Sequence, residues 1–156
     1  MALRQGPQRP GALDTGTPSL LVGQRMEQPK DQGFSLLPTP QGRFGRSDRL
    51  GLQREFRAVL RRGRRSQGAH FLLAAAPSVG SKPRLGLAIA KATGHAPDRA
   101  RMRRLLREAF RAVRTLLTKA VDLVVLMRQP WPRATLRDVT EDLLDQCRRL
   151  RLLAMA

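Results

Sequence analysis

The sequence predicts an α+β sandwich in which helices pack against a small central sheet. Two observations lead to this fold class. Segments with apolar residues at helical spacing alternate with short segments that show strand periodicity or unbroken apolar runs. Their order along the chain is helix, strands, helix, strand, helix, which is typical of helices layered on a sheet.

The first half of the folded region contains one predicted helix and two predicted strands. The helix covers residues 52–62, where apolar side chains recur at helical spacing, and Gly63 ends it. A strand is predicted over residues 69–76, and a turn-rich loop separates it from a second strand at 84–90. One face of that second strand carries only small residues, namely Gly86, Ala88 and Ala90. Such a face allows either a packed helix or a ligand to approach the sheet closely.

The second half begins with the strongest predicted helix, over residues 98–118. Apolar residues keep an i, i+3, i+4, i+7 spacing throughout it. The apolar run at 121–127 predicts a buried strand. Thr135 and Asp138 then resemble a capping box, which predicts a last helix over 136–150.

Composition divides the chain into three parts. Residues 1–42 hold six of the 11 prolines and six of the 13 glycines without a sustained period, which predicts a disordered extension. Residues 43–150 are the predicted folded domain, and 151–156 are a C-terminal tail. The apolar stretches are too short to span a membrane, and we expect no signal peptide. The single cysteine, Cys147, cannot form an internal disulfide, which favours a reducing cytoplasm. The lack of Asn favours a thermophilic source.

The charge balance indicates a polyanionic partner. The chain has 30 basic and 12 acidic residues, a formal net charge of +18. Residues 1–42 add little to this excess, so the folded part carries it. Nucleic acid is the commonest polyanion that would screen it, and an anionic membrane surface is the alternative. Arg outnumbers Lys, which suits bidentate contacts with phosphate, although a GC-rich genome also explains that ratio.

Arginines are concentrated in the helix predicted at 98–118. Seven lie within residues 99–114 against one acid, Glu108. Five of them repeat beside the apolar face: Arg99, Arg103, Arg107, Arg111 and Arg114. Because like charges at i, i+4 repel by about 0.2–0.5 kcal/mol each, this stripe predicts contact with phosphates. A solvated face is the alternative, although such faces usually mix both signs. A second cluster would extend the surface if it lay on the same side of the fold: Arg61, Arg62, Arg64 and Arg65.

Together these segments resemble the protein subunit of bacterial ribonuclease P over residues 43–150. The matching pieces are a strand that ends at Lys91, Gly94 in the next loop, and a helix that opens Arg99-Ala-Arg101 and continues Arg-Glu-Ala-Phe. Four positions of the first helix region also match: Arg49, Leu50, Phe56 and Val59. The resemblance implies an αβββαβα fold with a small central sheet, similar to the second domain of a small-subunit ribosomal protein. It also implies a left-handed βαβ crossover, whereas the residue pattern alone favours the usual right-handed one.

The activity that the resemblance implies is 5′ maturation of precursor tRNA. The catalytic centre would lie in the RNA subunit with its Mg²⁺ ions, and the protein would supply no catalytic residue and bind no cofactor. The implied partners are the RNA subunit and the 5′ leader of precursor tRNA, with no membrane and no small-molecule substrate.

Two sets of residues are expected to bind these partners. From the motif and the arginine stripe, the residues expected to bind the RNA subunit are Lys91, Arg99, Arg101, Arg103, Arg104, Arg107 and Arg111. Ala100 stands where the family has Asn, so the RNA contact is either rearranged or compensated by Arg103 and Arg104. The resemblance implies a leader cleft between the first helix and the sheet. Its expected lining is Arg49, Phe56, Leu60, Arg65, Phe71, Gly86 and Ala88.

The cleft has fewer aromatic residues than the family pattern. Phe56 and Phe71 match aromatic positions, but Leu60 and Ala74 stand where the family has aromatic residues. The cleft would therefore bind the leader more by shape than by stacking. Burial in the core is an equal alternative for Phe56 and the favoured one for Phe71.

Other chemistry finds little support in the sequence. His70, His95 and Cys147 lack the spacing of metal ligands, and no paired carboxylates suggest a hydrolytic centre in the protein. A structural ribosomal protein that binds rRNA fits the charge and size and stays an alternative. A DNA-binding helix protein fits less well, because no helix-turn-helix is recognisable.

Overall fold

A computed structural model of the chain describes residues 42–118 and 120–154. The extension predicted over residues 1–42 therefore lies outside the described residues, apart from Gly42, as do the last two residues of the predicted tail.

Three helices and four strands make up the described ranges. They are α1 Gln53–Arg62, β1 Arg64–Gln67, β2 Phe71–Pro77, β3 Arg84–Ile89, α2 Ala96–Val113, β4 Val121–Met127 and α3 Leu136–Arg149. Short 3₁₀ turns occur at Arg46–Asp48, Lys91–Thr93 and Arg114–Leu116. The predicted α+β class and the αβββαβα order are both confirmed.

The polar strand β1 is the element that periodicity did not indicate. Arg64–Gln67 contains no apolar residue, yet it pairs antiparallel with β2, with Arg65 opposite Ala74. It forms an edge of the sheet, where charged side chains are favoured because they block pairing with other chains. The arginines of the second basic cluster are thus partly strand residues.

The helix predicted over 98–118 is shorter at its C-terminal end than expected. α2 ends at Val113, and a 3₁₀ turn follows it. The chain leaves the helix because its backbone pairs with the C-terminal segment: Leu117 bridges Leu153, and Thr118 N donates to Leu152 O at 3.0 Å. Such long-range pairing is invisible to a local helical pattern.

The four strands lie in the order β1-β2-β4-β3. β2 pairs antiparallel with β4, whereas β3 pairs parallel with β4, so that α2 forms the crossover of a βαβ unit. Leu50 N donates to Leu85 O at 3.1 Å and covers part of the free edge of β3. The hand of the crossover stays a prediction.

Side-chain alternation along the strands gives the sheet two different faces. The face covered by α2 and α3, here the helix-pair face, holds the main core, in which Leu73, Leu123 and Phe110 are fully buried. The opposite face, here the α1 face, has a smaller core centred on Val59 and Val124. The arginines of α2 therefore lie on the helix-pair face, whereas Arg61 and Arg62 end α1 on the opposite face.

The predicted capping box of α3 is confirmed. Thr135 Oγ1 accepts from Asp138 N at 3.2 Å, and Asp138 Oδ2 accepts from Thr135 N at 2.8 Å. These reciprocal bonds satisfy backbone donors that the first turn of a helix leaves without partners. The hydrogen bond from the Thr135 backbone lowers the pKa of Asp138.

Candidate nucleic-acid interface

The first half of the predicted arginine stripe has no carboxylate partner among the residues that the structure describes. Arg99, Arg103 and Arg107 follow one another every four residues on α2, and all three are half-buried. No ion pair to any of them occurs within residues 42–118 and 120–154. Desolvation lowers the pKa of Arg107, and the nearby positive charges of Arg49 and Arg103 lower it further. This half of the stripe is a set of cations that the described part of the chain does not neutralise.

The second half of the stripe is engaged within the protein. Arg111 forms an ion pair with Glu108 at 2.7 Å and donates from Nε to Gly42 O at 2.9 Å. Arg114 forms an ion pair with Asp48 at 3.3 Å. Acids one turn away or distant in sequence therefore neutralise Arg111 and Arg114, which gives the five arginines of the stripe different environments. The contact of the stripe with phosphates stays a prediction.

Arg101 and Arg104 lie off the stripe. Arg101 Nη2 donates to Ala134 O at 2.7 Å, so this side chain extends toward the loop before α3. Arg104 is exposed to solvent. The exposed Lys91 begins the 3₁₀ turn that follows β3.

Arg49 joins the α2 stripe rather than the predicted cleft. Its guanidinium carbon lies 5.3 Å from the centroid of the Phe44 ring, and that ring packs edge-on against Phe110 of α2 at 5.9 Å. The positive charge of Arg49 also acts on Arg107. Arg49, Arg99, Arg103 and Arg107 together are called the basic surface below.

An open groove of about 410 Å³ connects the basic surface with the end of the sheet. Arg103 and Arg128 line it together with Ala88 and Leu126. Ala88 and Leu126 belong to the α1 face. The groove therefore leads around the edge of β3 from the basic surface to the predicted leader cleft.

The α1 face carries an apolar strip that α1 covers incompletely. Strand register aligns Leu72, Leu126 and Ala88 across β2, β4 and β3, and all three are half-buried. The sequence analysis did not include Leu72 and Leu126 among the candidate cleft residues, because they become neighbours only through strand pairing. These three residues are called the open strip below.

Gly86 and Ala88 turn out to have different environments. A Cβ atom on Gly86 would lie 2.9 Å from Phe56 Cδ2, so this position admits the packed helix α1. Ala88, two residues further along the same face, lines the open groove. The packed helix stated as one alternative for the small face of β3 is thus present at Gly86, whereas a ligand at Ala88 stays a prediction.

Phe71 does not belong to the cleft, and that prediction is wrong. Its side chain is 1% exposed and lies in the core of the helix-pair face. The physical reason is strand alternation, because Leu72 and not Phe71 points to the α1 face. Phe56 and Leu60 do lie on the α1 face, packed against its core. The Arg65 guanidinium donates to Leu60 O, which holds it beside α1.

The second basic cluster does not extend the basic surface. Arg61 and Arg62 end α1, on the face opposite α2. Arg64 and Arg65 lie on β1, three strands away from β3, which is about 14 Å at the usual strand spacing.

A buried ion pair holds α1 in position. Arg84 on β3 forms two hydrogen bonds with Asp122 on β4, at 2.9 and 2.7 Å, and a third with Glu55 on α1 at 3.1 Å. The hydrogen bonds with Asp122 and Glu55 raise the pKa of Arg84. The contact ties the N-terminal turn of α1 to two strands and so sets one boundary of the open strip.

Neither a cluster of metal ligands nor a reactive thiol occurs among the described residues. No cluster of three or more His, Cys, Asp or Glu side chains suited to a metal ion occurs in the described ranges. Cys147 is buried, and this burial raises the pKa of its thiol to about 12, so that it stays protonated. No helix within those ranges is long and apolar enough to cross a membrane.

Fold and site together define a class, that of small α+β proteins with a cationic helix face suited to a nucleic-acid backbone. The model of the family described as Ribonuclease P matches residues 44–151. The chain therefore belongs to the ribonuclease P protein family.

Similar proteins and structures carry the same family name. The ribonuclease P protein component of Brevibacillus brevis is 31% identical over 112 residues, which are 71% of this chain and 89% of that protein. The corresponding protein of Shouchella clausii is 32% identical over 110 residues, 70% of this chain and 90% of its own. The solved RNase P protein of Thermotoga maritima is similar with a TM-score of 0.58 and 28% identity, covering 65% of this chain and 96% of that one. The Staphylococcus aureus RNase P protein, at 21% identity, shares the fold with a TM-score of 0.62 over 69% of this chain and 98% of its own.

Proposed function

We propose that the chain binds the RNA subunit of ribonuclease P through its basic surface and the 5′ leader of precursor tRNA along the open strip. The observation that carries the proposal is the row Arg99, Arg103 and Arg107, which has no carboxylate partner within the described ranges. Uncompensated cations at helical spacing are costly in isolation and favourable against phosphates.

The leader side of the proposal is supported by shape and polarity. A single strand exposes its bases, and bases bind apolar and aromatic surfaces. The open strip offers Leu72, Leu126 and Ala88, with Phe56 as the only aromatic residue packed on the described α1 face. Arg65 lies on the edge strand β1 of the same face, where its guanidinium would contact a backbone phosphate of the leader. The strip therefore supports binding of an extended strand with little dependence on its sequence.

Catalysis is assigned to the RNA subunit and its Mg²⁺ ions. Four carboxylates of the described residues support this assignment, since Asp48, Glu55, Glu108 and Asp122 are paired with arginines of the protein. The protein contributes positive charge, which lowers the Mg²⁺ concentration that a folded polyanion requires. Such a role belongs in the cytoplasm, where precursor tRNA is processed.

Reconstitution tests the proposal. The full chain is combined with a bacterial ribonuclease P RNA, and 5′ cleavage of precursor tRNA is measured as Mg²⁺ is lowered. We expect the protein to sustain cleavage at Mg²⁺ concentrations at which the RNA alone is inactive. Unchanged Mg²⁺ dependence would refute the proposed function.

A pull-down from cell extract tests the ribosomal alternative. The proposed function predicts recovery of one RNA of a few hundred nucleotides together with precursor tRNA. Recovery of mature rRNA instead would favour a structural ribosomal role.

A further inference from the structure

A cavity of about 190 Å³ lies at the N-terminal end of α2, apart from the open strip. Apolar side chains form most of its wall: Met102, Met127, Pro130, Trp131 and Pro132. Its polar lining consists of Thr93, Asp98, Arg99 and Arg101. Of this set the proposed function uses only Arg99, so it gives the apolar wall no role.

The size of the cavity restricts what it can hold. Cavities of about 150 Å³ admit a single benzene ring, whereas pockets for drug-sized ligands start at about 300 Å³. At about 190 Å³ the cavity fits one planar ring system.

Trp131 forms an ordered aromatic wall. Its ring stacks on His70 with centroids 4.0 Å apart and an angle of 12° between the planes. His70 Nδ1 in turn lies 3.2 Å from Pro130 O, within hydrogen-bond distance. These contacts hold the indole in one orientation, which lowers the entropic cost of stacking another ring against the cavity wall.

The polar groups of the cavity suit the edge of such a ring. Arg99 Nε is buried and has no hydrogen-bond partner within residues 42–118 and 120–154, so it requires an acceptor. Asp98 supplies the opposite polarity, with Oδ2 already accepting from His95 N at 3.2 Å. A nucleobase edge presents donors and acceptors side by side. A phosphate, by contrast, would be repelled by Asp98 and would find no partner in the apolar wall.

We propose that this cavity binds an unpaired nucleobase, stacked on Trp131 and hydrogen-bonded along its edge by Arg99 and Asp98. Unpaired RNA bases are recognised in this manner by aromatic rings combined with polar groups. The inference rests on the proposed function, which brings RNA to α2.

The fluorescence of the natural chain tests the proposal directly. Trp131 is the only Trp and the chain has no Tyr, so intrinsic fluorescence excited in the tryptophan band reports on this cavity alone. The RNA subunit and precursor tRNA are titrated in separate arms, with binding measured independently by filter retention. We expect the emission to be quenched in at least one arm, with the same midpoint as binding. The arm that responds identifies the RNA that donates the base.

Each other outcome has a separate meaning. Binding with unchanged Trp131 emission in every arm that binds would overturn the cavity proposal and leave the proposed function standing. Failure of both RNAs to bind would overturn the proposed function and the cavity proposal together.

Two variants separate stacking from a structural role. Trp131→Leu keeps apolar volume but removes the aromatic face, so we expect RNA affinity to fall roughly 5- to 100-fold. The salt dependence of binding should not change, because stacking releases no counterions. Trp131→Phe should retain most of the affinity, and thermal unfolding confirms that both variants fold. No loss in the Leu variant, or an equal loss in the Phe variant, would contradict stacking.

Discussion

Arg103 and Arg107 are the most informative positions for testing how the basic surface works. Neither has a carboxylate partner within the described ranges, and desolvation together with Arg49 and Arg103 lowers the pKa of Arg107. Replacing both by Gln keeps most of each side-chain stem and removes two positive charges. We expect RNA binding to weaken while the fold is retained.

The magnitude follows from counterion release. Each phosphate contact contributes ~0.7–0.9 to the slope of log affinity against log salt concentration. Losing two contacts should therefore reduce the slope by ~1.4–1.8. Between 50 and 200 mM salt, the natural protein should lose about tenfold more affinity than the variant. Filter retention with the RNA subunit at several salt concentrations measures both slopes.

Stability should change in the opposite direction. Removing one of two neighbouring like charges relieves ~0.2–0.5 kcal/mol per pair at low salt. The Arg103→Gln, Arg107→Gln variant should thus match or slightly exceed the natural protein in free energy of unfolding, measured by urea titration. A residue retained for binding rather than for folding has this combination of effects.

A matched control keeps the net charge equal. Arg61→Gln with Arg62→Gln also removes two positive charges, from exposed positions at the end of α1 on the opposite face. For this variant, the slope of log affinity for the RNA subunit against log salt concentration should equal that of the natural protein. Equal reductions of the slope in both double variants would contradict the role of the basic surface, because binding would then depend on net charge alone.

Three further predictions concern the scaffold. Gly86→Val places side-chain atoms against the Phe56 ring, so urea titration should show a loss of about 1–3 kcal/mol; an unchanged midpoint would mean that α1 is not held there. Thr135→Ala removes the N-cap hydrogen bond of α3, so the free energy of unfolding measured by urea titration should fall by about 1 kcal/mol. The pKa of Asp138 is lower in the folded protein than in the unfolded chain. The stability that its carboxylate contributes is therefore fully present at pH values above the pKa of the unfolded state, and it is lost as the pH falls through the pKa of the folded state. Burial raises the pKa of Asp142 above that of the unfolded chain. The stability that its protonated form contributes is therefore lost as the pH rises through the pKa of the folded state. Asp142→Asn should accordingly raise the melting temperature at pH 7 and flatten its acid dependence, and a lower melting temperature at pH 7 would contradict this.

The elements with strong local patterns were predictable from the sequence. The strand at 121–127 was predicted with its observed bounds, and α3 began at the predicted Leu136 after its capping box. The resemblance supplied the αβββαβα order, including the polar strand that no periodicity marks. β1 was missed by pattern alone because an edge strand has no apolar face to reveal it.

The site was predictable in composition but only partly in arrangement. Helical geometry correctly aligned Arg99, Arg103 and Arg107, because i, i+4 neighbours share a face whatever the rest of the chain does. Nothing local indicated that Glu108 and Asp48 would neutralise Arg111 and Arg114. Leu72 and Leu126 were missed for the same reason, since they meet only across paired strands.

Fold class, the cationic helix and the family could be predicted before folding was considered, since periodicity, charge and motifs are properties of short segments. Three features became apparent only in the folded chain: the lack of acidic partners for Arg99, Arg103 and Arg107 within the described ranges, the burial of Phe71, and the cavity that Trp131 lines beside Arg99. These features could not be predicted because charge pairing, burial and cavity shape arise from contacts between residues far apart in the chain.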